Sequence, residues 1–293
     1  MAQVNTKLMG NAQGPSLCEP GPPIRARPLI ASVVRSEGQM QLPATSLVLE
    51  GSRLLDALPM AEHLLLQPHL QRIALSQGQV LYHMEDQLAY VYFPTGALIA
   101  LVGATEGGGT LETGLVGAEG MAGLPVFLGA STAPYTSVAR HAGDVLRMRA
   151  DVFTRKATEA VRMRELLLRY ANLSCNYASQ AAVCNRLHAL EQRMATWLLT
   201  TRDRLARDDF HLTHDLISRS LGVRRPGVSV EIKKFDRAGW LRIRRAQIRI
   251  VDEDGLKTAA CECYGVIKAE FEQYLDFCAN SVPPRKPCAR RAV

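Results

Sequence analysis

Arg224 and Arg225, followed by Lys233, Lys234, Arg242, Arg244 and Arg249, are the residues of this sequence best suited to chemistry, and that chemistry is recognition of a polyanion. A guanidinium offers a planar fork of donors that fits phosphate or a guanine edge, and an ammonium offers a mobile point charge. All seven fall within residues 210–251, where ten Lys or Arg stand against three acids. The difference of seven equals the formal net charge of the whole 293-residue chain, +7, so the remaining residues sum to zero. Positive charge gathered this tightly points to nucleic acid.

The local elements needed to position these cations are legible in the same stretch. Thr213 occupies an N-cap position, with Asp215 in the first turn where the helix end is positive. Leu216, Ile217 and Leu221 form the apolar face of this helix, Gly222 ends it, and Val223 plugs the turn. Pro226 suits the first turn of a second helix, whose core face is Val228, Ile232 and Phe235 and which Gly239 closes. The opposite face carries Arg224, Arg225, Gly227, Ser229, Val230, Lys233 and Lys234. A recognition helix meets base edges near its N-terminus, which selects Arg224 and Arg225, while Lys233 and Lys234 suit phosphates. From Trp240 to Val251 the pattern alternates, with Leu241, Ile243, Ile248 and Ile250 inward and Arg242, Arg244, Gln247 and Arg249 outward. This is a basic hairpin wing. The candidate DNA contacts are thus Thr213, Arg224, Arg225, Gly227, Ser229, Val230, Lys233, Lys234, Arg242, Arg244 and Arg249.

Upstream, the texture divides the chain. Residues 1–45 contain six prolines and no sustained apolar period, which predicts a flexible leader. Residues 46–156 open with short helices punctuated by Pro59 and Pro68 and continue as short Val/Leu/Tyr/Phe runs separated by glycine corners, the pattern of an antiparallel β-roll. Residues 157–188 lack Pro and Gly and read as one long helix. On it Leu166, Tyr170, Leu173, Tyr177, Gln180, Cys184 and Leu187 recur at alternating steps of four and three. That spacing fits a dimerisation seam with Gln180 setting register, or one helix face packed on its own domain. Residues 189–276 would form the DNA-binding unit, with Asp252–Leu275 as a further helical stretch, and residues 277–293 a basic tail. The longest apolar runs, such as Ala97–Val102, are far shorter than a membrane helix. Seven irregularly spaced cysteines and the absence of an apolar N-terminal core fit reduced thiols in a cytoplasm.

The stretch LTHDLISRSLGVRRPGVSVEIKKFDRAGWLRIRRAQIRIVDEDGL, together with FPTGALIALV and GLVGAEGMAGLPVFLG upstream, resembles the Crp/Fnr family of bacterial transcription regulators. The resemblance spans roughly residues 51–275. It implies an α+β fold: an N-terminal antiparallel β-roll (a double-stranded β-helix of the cyclic-nucleotide-binding kind), a long dimerisation helix and a C-terminal winged helix-turn-helix. It also implies a homodimer on a palindromic double-stranded operator, with RNA polymerase as a partner of an activator, and no membrane partner. Two family features are missing. Leu124 and Pro125 replace the acidic step of the phosphate cassette and Tyr135-Thr136 replace its Arg-Ser, so a cyclic nucleotide is not expected. The leader carries only Cys18, so neither is an iron–sulfur cluster. Pro226 after Arg225 departs from the best-known operator readers, and Ala246 stands where the wing turn often has Gly.

Other constellations carry less. Cys261-x-Cys263 lacks a second pair at zinc spacing and reads as helix thiols packed on the wing, so no metal is expected. His211 and His214 suit capping or surface roles. Gly107-Gly108-Gly109 lacks the Lys-Ser/Thr of a phosphate loop and reads as a hairpin turn. No nucleophile–base arrangement stands out, which predicts a protein that is not an enzyme. The reading from another class is a small-molecule or protein sensor whose basic domain docks an acidic protein.

Overall fold

The computed structural model describes residues 51–245 and 247–280. The expected leader at 1–45, the tail beyond 280 and Ala246 of the wing turn lie outside the described residues. The chain begins with α1 (Arg53–Asp56) and α2 (Met60–Leu66), then a single 3-10 turn, in keeping with Pro59 and Pro68 as breakers. Seven strands follow: β1 (Gln71–Leu75), β2 (Val80–Tyr82), β3 (Tyr90–Pro94), β4 (Leu98–Ala104), β5 (Thr110–Val116), β6 (Thr136–His141) and β7 (Gly143–Arg149). The short α3 (Leu124–Phe127) interrupts them between β5 and β6. They form two antiparallel sheets, ordered β1-β7-β3 and β2-β6-β4-β5. The roll core lies between them and includes Val91, Phe93, Ile99, Val116, Ala139 and Leu146. The β4–β5 hairpin turns at Gly108, whose φ of 80° is the left-handed conformation that glycine adopts without steric cost.

The long helical stretch is broken where the sequence shows no breaker. It divides into α4 (Ala150–Glu159), α5 (Val161–Leu187) and α6 (Leu190–Leu205). Ala160 is extended and fully buried at the first break, and Glu62 of α2 accepts the N–H groups of Arg162 and Met163 at 2.9 Å each. A carboxylate from another element thereby satisfies donors that the start of α5 leaves free. The expected helix over 157–188 therefore begins at Val161.

The C-terminal part contains β8 (Asp209–His211), α7 (His214–Leu221), α8 (Arg225–Arg237), β9 (Leu241–Arg244), β10 (Gln247–Ile250) and α9 (Glu253–Ala259). Its core joins Met194, Trp197 and Leu198 of α6 to Ile217, Val228, Ile232, Phe235, Leu241, Ile248 and Ile250. The last helix, α10 (Cys263–Ala279), departs from the sequence reading in three ways. It is separate from α9, it runs past the expected end at 276, and beyond Tyr264 it leaves the core of the C-terminal part. Ile267, Phe271, Tyr274 and Cys278, one helical stripe, join the roll and α5 instead.

This packing decides the fate of the predicted seam. Leu166, Tyr170, Leu173 and Cys184 are buried within their own chain. Tyr170 packs its ring 5.9 Å from that of Tyr274, Gln180 donates to Cys263 Sγ at 3.0 Å, and Tyr177 is half-buried beside the same core. Only Leu187 of the seven is exposed, at 71%. The four–three spacing thus reports a helix face packed on its own domain.

Two buried carboxylates tie the roll to α6. Glu112 of β5 accepts from Arg140 of β6 (Nε, 3.1 Å) and, through its other oxygen, from the indole N–H of Trp197 (2.7 Å). Glu119 accepts from Arg204 and from the Gly117 N–H at 3.0 Å, while the Arg204 guanidinium lies over the Phe271 ring. Both ion pairs are nearly solvent-free, so removing one partner strands a charge. Glu112→Gln is expected to lower unfolding stability by about 3–5 kcal/mol, because Arg140 is left buried without its counter-charge. Chemical denaturation checks this, and a loss below about 1 kcal/mol would contradict a structural role for the pair.

Candidate nucleic-acid interface

The helix-turn-helix is assembled as its punctuation requires. Thr213 Oγ1 accepts the Leu216 N–H at 3.1 Å, so the N-cap position is occupied as the sequence indicates. Gly222 at φ 63° ends α7, and the Val223 N–H returns to the Ser218 carbonyl. Pro226 falls in the first turn of α8, where an N–H would have no partner. Val228, Ile232 and Phe235 are buried, which fixes the outward line of α8 as Pro226, Val230, Lys233 and Arg237, all exposed. Arg224 and Arg225 are exposed at its N-terminal end.

Several expected contact residues are engaged within the chain. A Cβ at Gly227 would lie 3.0 Å from Leu190 Cδ2, so the glycine admits α6 alongside α8 rather than opening the backbone to a phosphate. Ser229 donates to the Arg225 carbonyl at 3.2 Å and lies 2.9 Å from His214 Nδ1. Burial, with Arg225 and Lys233 nearby, pulls the His214 imidazole below its ordinary value, which favours the neutral ring at neutral pH. Lys234 pairs with Glu231 at 2.8 Å and with Glu191 of α6 at 3.5 Å, which commits its charge away from a partner. Arg219 pairs with Asp215 at 2.9 Å. That leaves Arg224, Arg225, Lys233, Arg237, Arg242, Arg244, Arg245 and Arg249 with no ion pair among the described residues. The sequence reading had not placed Arg237 at the interface. Its spacing of four from Lys233 on the outward line was the available signal.

The wing is a three-stranded sheet ordered β8-β10-β9, one strand more than the predicted hairpin. Leu241, Ile248 and Ile250 are buried and Ile243 half-buried, while Arg242, Arg244, Gln247 and Arg249 are exposed. The register sets Arg242 directly opposite Arg249. Like charges across a strand pair oppose folding, so this pairing stores repulsion that a polyanion relieves. In the roll, Arg140 cannot serve as a phosphate ligand inside. Its neighbour Ala139 faces the roll core, and Arg140 points to the other side of β6, where Glu112 holds it. The cassette region instead gathers phenols: Tyr82 accepts the Gly123 N–H at 3.2 Å, and its ring lies 6.3 Å from that of Tyr135. Burial pushes both phenols up, so they stay neutral.

Cys261 and Cys263 do not lie on the wing as expected. They face the last turn of α5, where Cys261 Sγ is 3.5 Å from Cys184 Sγ and Cys263 Sγ is 3.5 Å from His188 Nδ1.

Residues 192–259 match the Crp-like helix-turn-helix domain family, a span that includes most of α6 and all of α9 and stops before α10. None of the curated proteins compared matches the sequence. Among solved structures, FixK2 from Bradyrhizobium japonicum is similar with a TM-score of 0.58 at 16% identity, over 66% of this chain and 98% of that one. A Crp/Fnr-family transcriptional regulator from Eubacterium rectale gives 0.56 at 16% identity, over 70% and 96%. A CRP-family regulator from Thermus thermophilus gives 0.55 at 18%, over 64% and 96%. At these identities the likeness is one of fold. Among the described residues no helix is long and apolar enough to cross a membrane.

Lys234 and Arg237 of α8 separate paired from unpaired charge. Arg237→Ala is expected to weaken binding to a random duplex and to reduce the slope of log affinity against log salt by about 0.9. Lys234→Ala should leave that slope nearly unchanged. Fluorescence anisotropy across a salt series measures both, and equal effects would contradict the assignment.

Proposed function

Taking as premise a chain of Crp/Fnr fold with a Crp-like helix-turn-helix domain, we propose that it is a sequence-specific transcription regulator that binds a palindromic operator as a homodimer in the cytoplasm. In this reading α8 enters the major groove. Arg224 and Arg225 read base edges, with Val230 and Ser229 beside them and Thr213 at the entrance of α7. Lys233, Arg237, Arg242, Arg244 and Arg249 hold phosphates. The observation that carries the proposal is the set of eight cations on α8 and the wing that pair with no carboxylate among the described residues. A docking site for an acidic protein would share the charge, but the domain match favours DNA.

The dimer is supported by the face of α5 that its own chain leaves open. Leu168, Asn172, Cys175, Ser179, Ala182 and Arg186 are exposed and recur at alternating steps of four and three. A second copy would meet this face, on the opposite side of the helix from the seam read in the sequence. The roll is the natural seat of a signal other than a cyclic nucleotide. A ligand there acts by favouring one orientation of the DNA-binding units over another. If the regulator activates, RNA polymerase is its further partner.

Base reading and phosphate clamping have different signatures. Selection from random duplexes is expected to enrich an inverted repeat with half-sites about one helical turn apart. Affinity for it should fall steeply with salt. Arg225→Ala should relax preference at one position per half-site by about 1–3 kcal/mol. Neutralising Arg242, Arg244 and Arg249 should flatten the salt slope and leave the preferred sequence unchanged. A selection that enriches no motif would overturn the proposal.

A further inference from the structure

Four donor side chains that the DNA-binding reading does not use converge where α5 ends and α10 begins. Cys184 lies in the last turn of α5 and His188 is its C-cap residue, so their spacing of four puts both on one face. Cys261 lies in the loop after α9, and Cys263 is the first residue of α10. Their ligand atoms, three Sγ and one imidazole nitrogen, all lie within 4.8 Å of one another. Cys184, Cys261 and Cys263 are 7%, 5% and 0% exposed. A tetrahedral zinc with Zn–S bonds of about 2.3 Å holds its sulfurs about 3.8 Å apart. The 3.5 Å between the Cys184 and Cys261 sulfurs is close to that spacing, and Cys263 Sγ lies 3.5 Å from His188 Nδ1.

The surroundings are those of metal ligands. His188 Nε2 lies 3.2 Å from Glu262 Oε1, which places a carboxylate on the far nitrogen and leaves the Nδ1 lone pair facing the thiols. The Gln180 amide donates to Cys263 Sγ at 3.0 Å, and the Thr196 hydroxyl lies 3.2 Å from Cys261 Sγ. Arg193 of α6 contributes positive charge beside Cys184. Three thiolates around a dication leave one net negative charge, which such donors and a nearby cation offset. Thiols serving only as small core residues would not collect an amide, a hydroxyl, an imidazole and a carboxylate around them. A disulfide between Cys184 and Cys261 would require the sulfurs at about 2.05 Å and would leave Cys263 and His188 without a role.

We propose that Cys184, His188, Cys261 and Cys263 form a closed, tetrahedral Zn²⁺ site. The donor set is rich in thiolate, includes one imidazole and has no carboxylate ligand, which selects zinc over magnesium or calcium. All four positions come from the protein, so the site is structural rather than hydrolytic. Loading breaks three S–H bonds and forms three Zn–S bonds and one Zn–N bond. Three protons pass to solvent, the zinc aqua ligands leave, and no electron moves. This replaces the expectation of no metal drawn from Cys261-x-Cys263 alone. The second pair exists, but it lies at the far end of α5 in the sequence.

The position gives the metal a task. The α5–α6 junction is at His188 and Ala189, and α6 is the first helix of the DNA-binding core. Zinc would bind the end of α5 to the start of α10 beside this junction.

The test uses the full chain without an affinity tag, prepared under reducing conditions. Elemental analysis should find one zinc per chain. Cobalt(II) in its place should give the intense visible bands of a tetrahedral thiolate site. Cys263→Ser and His188→Ala should lose the metal, while Cys175→Ser, at an exposed cysteine away from the cluster, should retain it. Glu262→Ala should weaken zinc affinity by about 10-fold to 100-fold through the imidazole. If ligand variants fail to fold, thiol titration of the native chain decides. Chelation should expose three further reactive thiols, and added zinc should protect them again. A chain that refuses zinc, a Cys184–Cys261 disulfide in the reduced preparation, an octahedral cobalt spectrum or an iron chromophore would each overturn the assignment.

Discussion

Two buried carboxylates on one flank of the β-roll, Glu112 and Glu119, determine where the DNA-binding unit sits. Each accepts a strong donor from α6, the indole of Trp197 in one case and the guanidinium of Arg204 in the other. In a nearly dry contact a carboxylate is costly unless it is paired and hydrogen-bonded, so these bonds specify position as well as adding attraction. A rotation of α6 that broke the Arg204–Glu119 pair would leave a buried charge without its partner.

The last helix strengthens the same arrangement from behind. Residues 267, 271, 274 and 278 of α10 are buried against α5 and the roll, and Tyr274 donates to the Glu119 carbonyl at 3.2 Å. Helix α10 therefore covers the face of α5 marked by the four–three spacing, which is packed within this chain. The Cys/His cluster lies at the other end of this helix pair, beside the junction where α5 hands over to α6. Ion pairs, helix packing and the Cys/His cluster thus converge on the connection between the roll and the helix-turn-helix domain.

Much of this was legible in the sequence because it is local. Thr213 as N-cap, Gly222 as terminator and the alternation of Leu241, Ile243, Ile248 and Ile250 follow from short-range stereochemistry, and the structure contains each. The longer-range features were not legible, for identifiable reasons. A four–three seam looks the same whether the covering helix belongs to this chain or another, so Tyr170 and Gln180 could not be assigned a partner. Lys234 differs from Lys233 only through Glu231 and Glu191, one of them on another helix. Cys184 and His188 meet Cys261 and Cys263 only because α10 folds back along α5. The break at Ala160 shows no proline or glycine, and it depends on Glu62 from α2 satisfying the first turn of α5.

The central claim is that the unpaired cations of α8 and the wing bind DNA, with Arg224 and Arg225 reading its sequence and the others holding phosphates. Genome-wide mapping of the sites bound in the living cell tests it most directly. The account predicts discrete sites sharing an inverted repeat, with half-site spacing that reports the dimer, and loss of those sites when Arg224 and Arg225 are replaced by alanine. Uniform coverage of the genome, or enrichment that survives both substitutions, would contradict it.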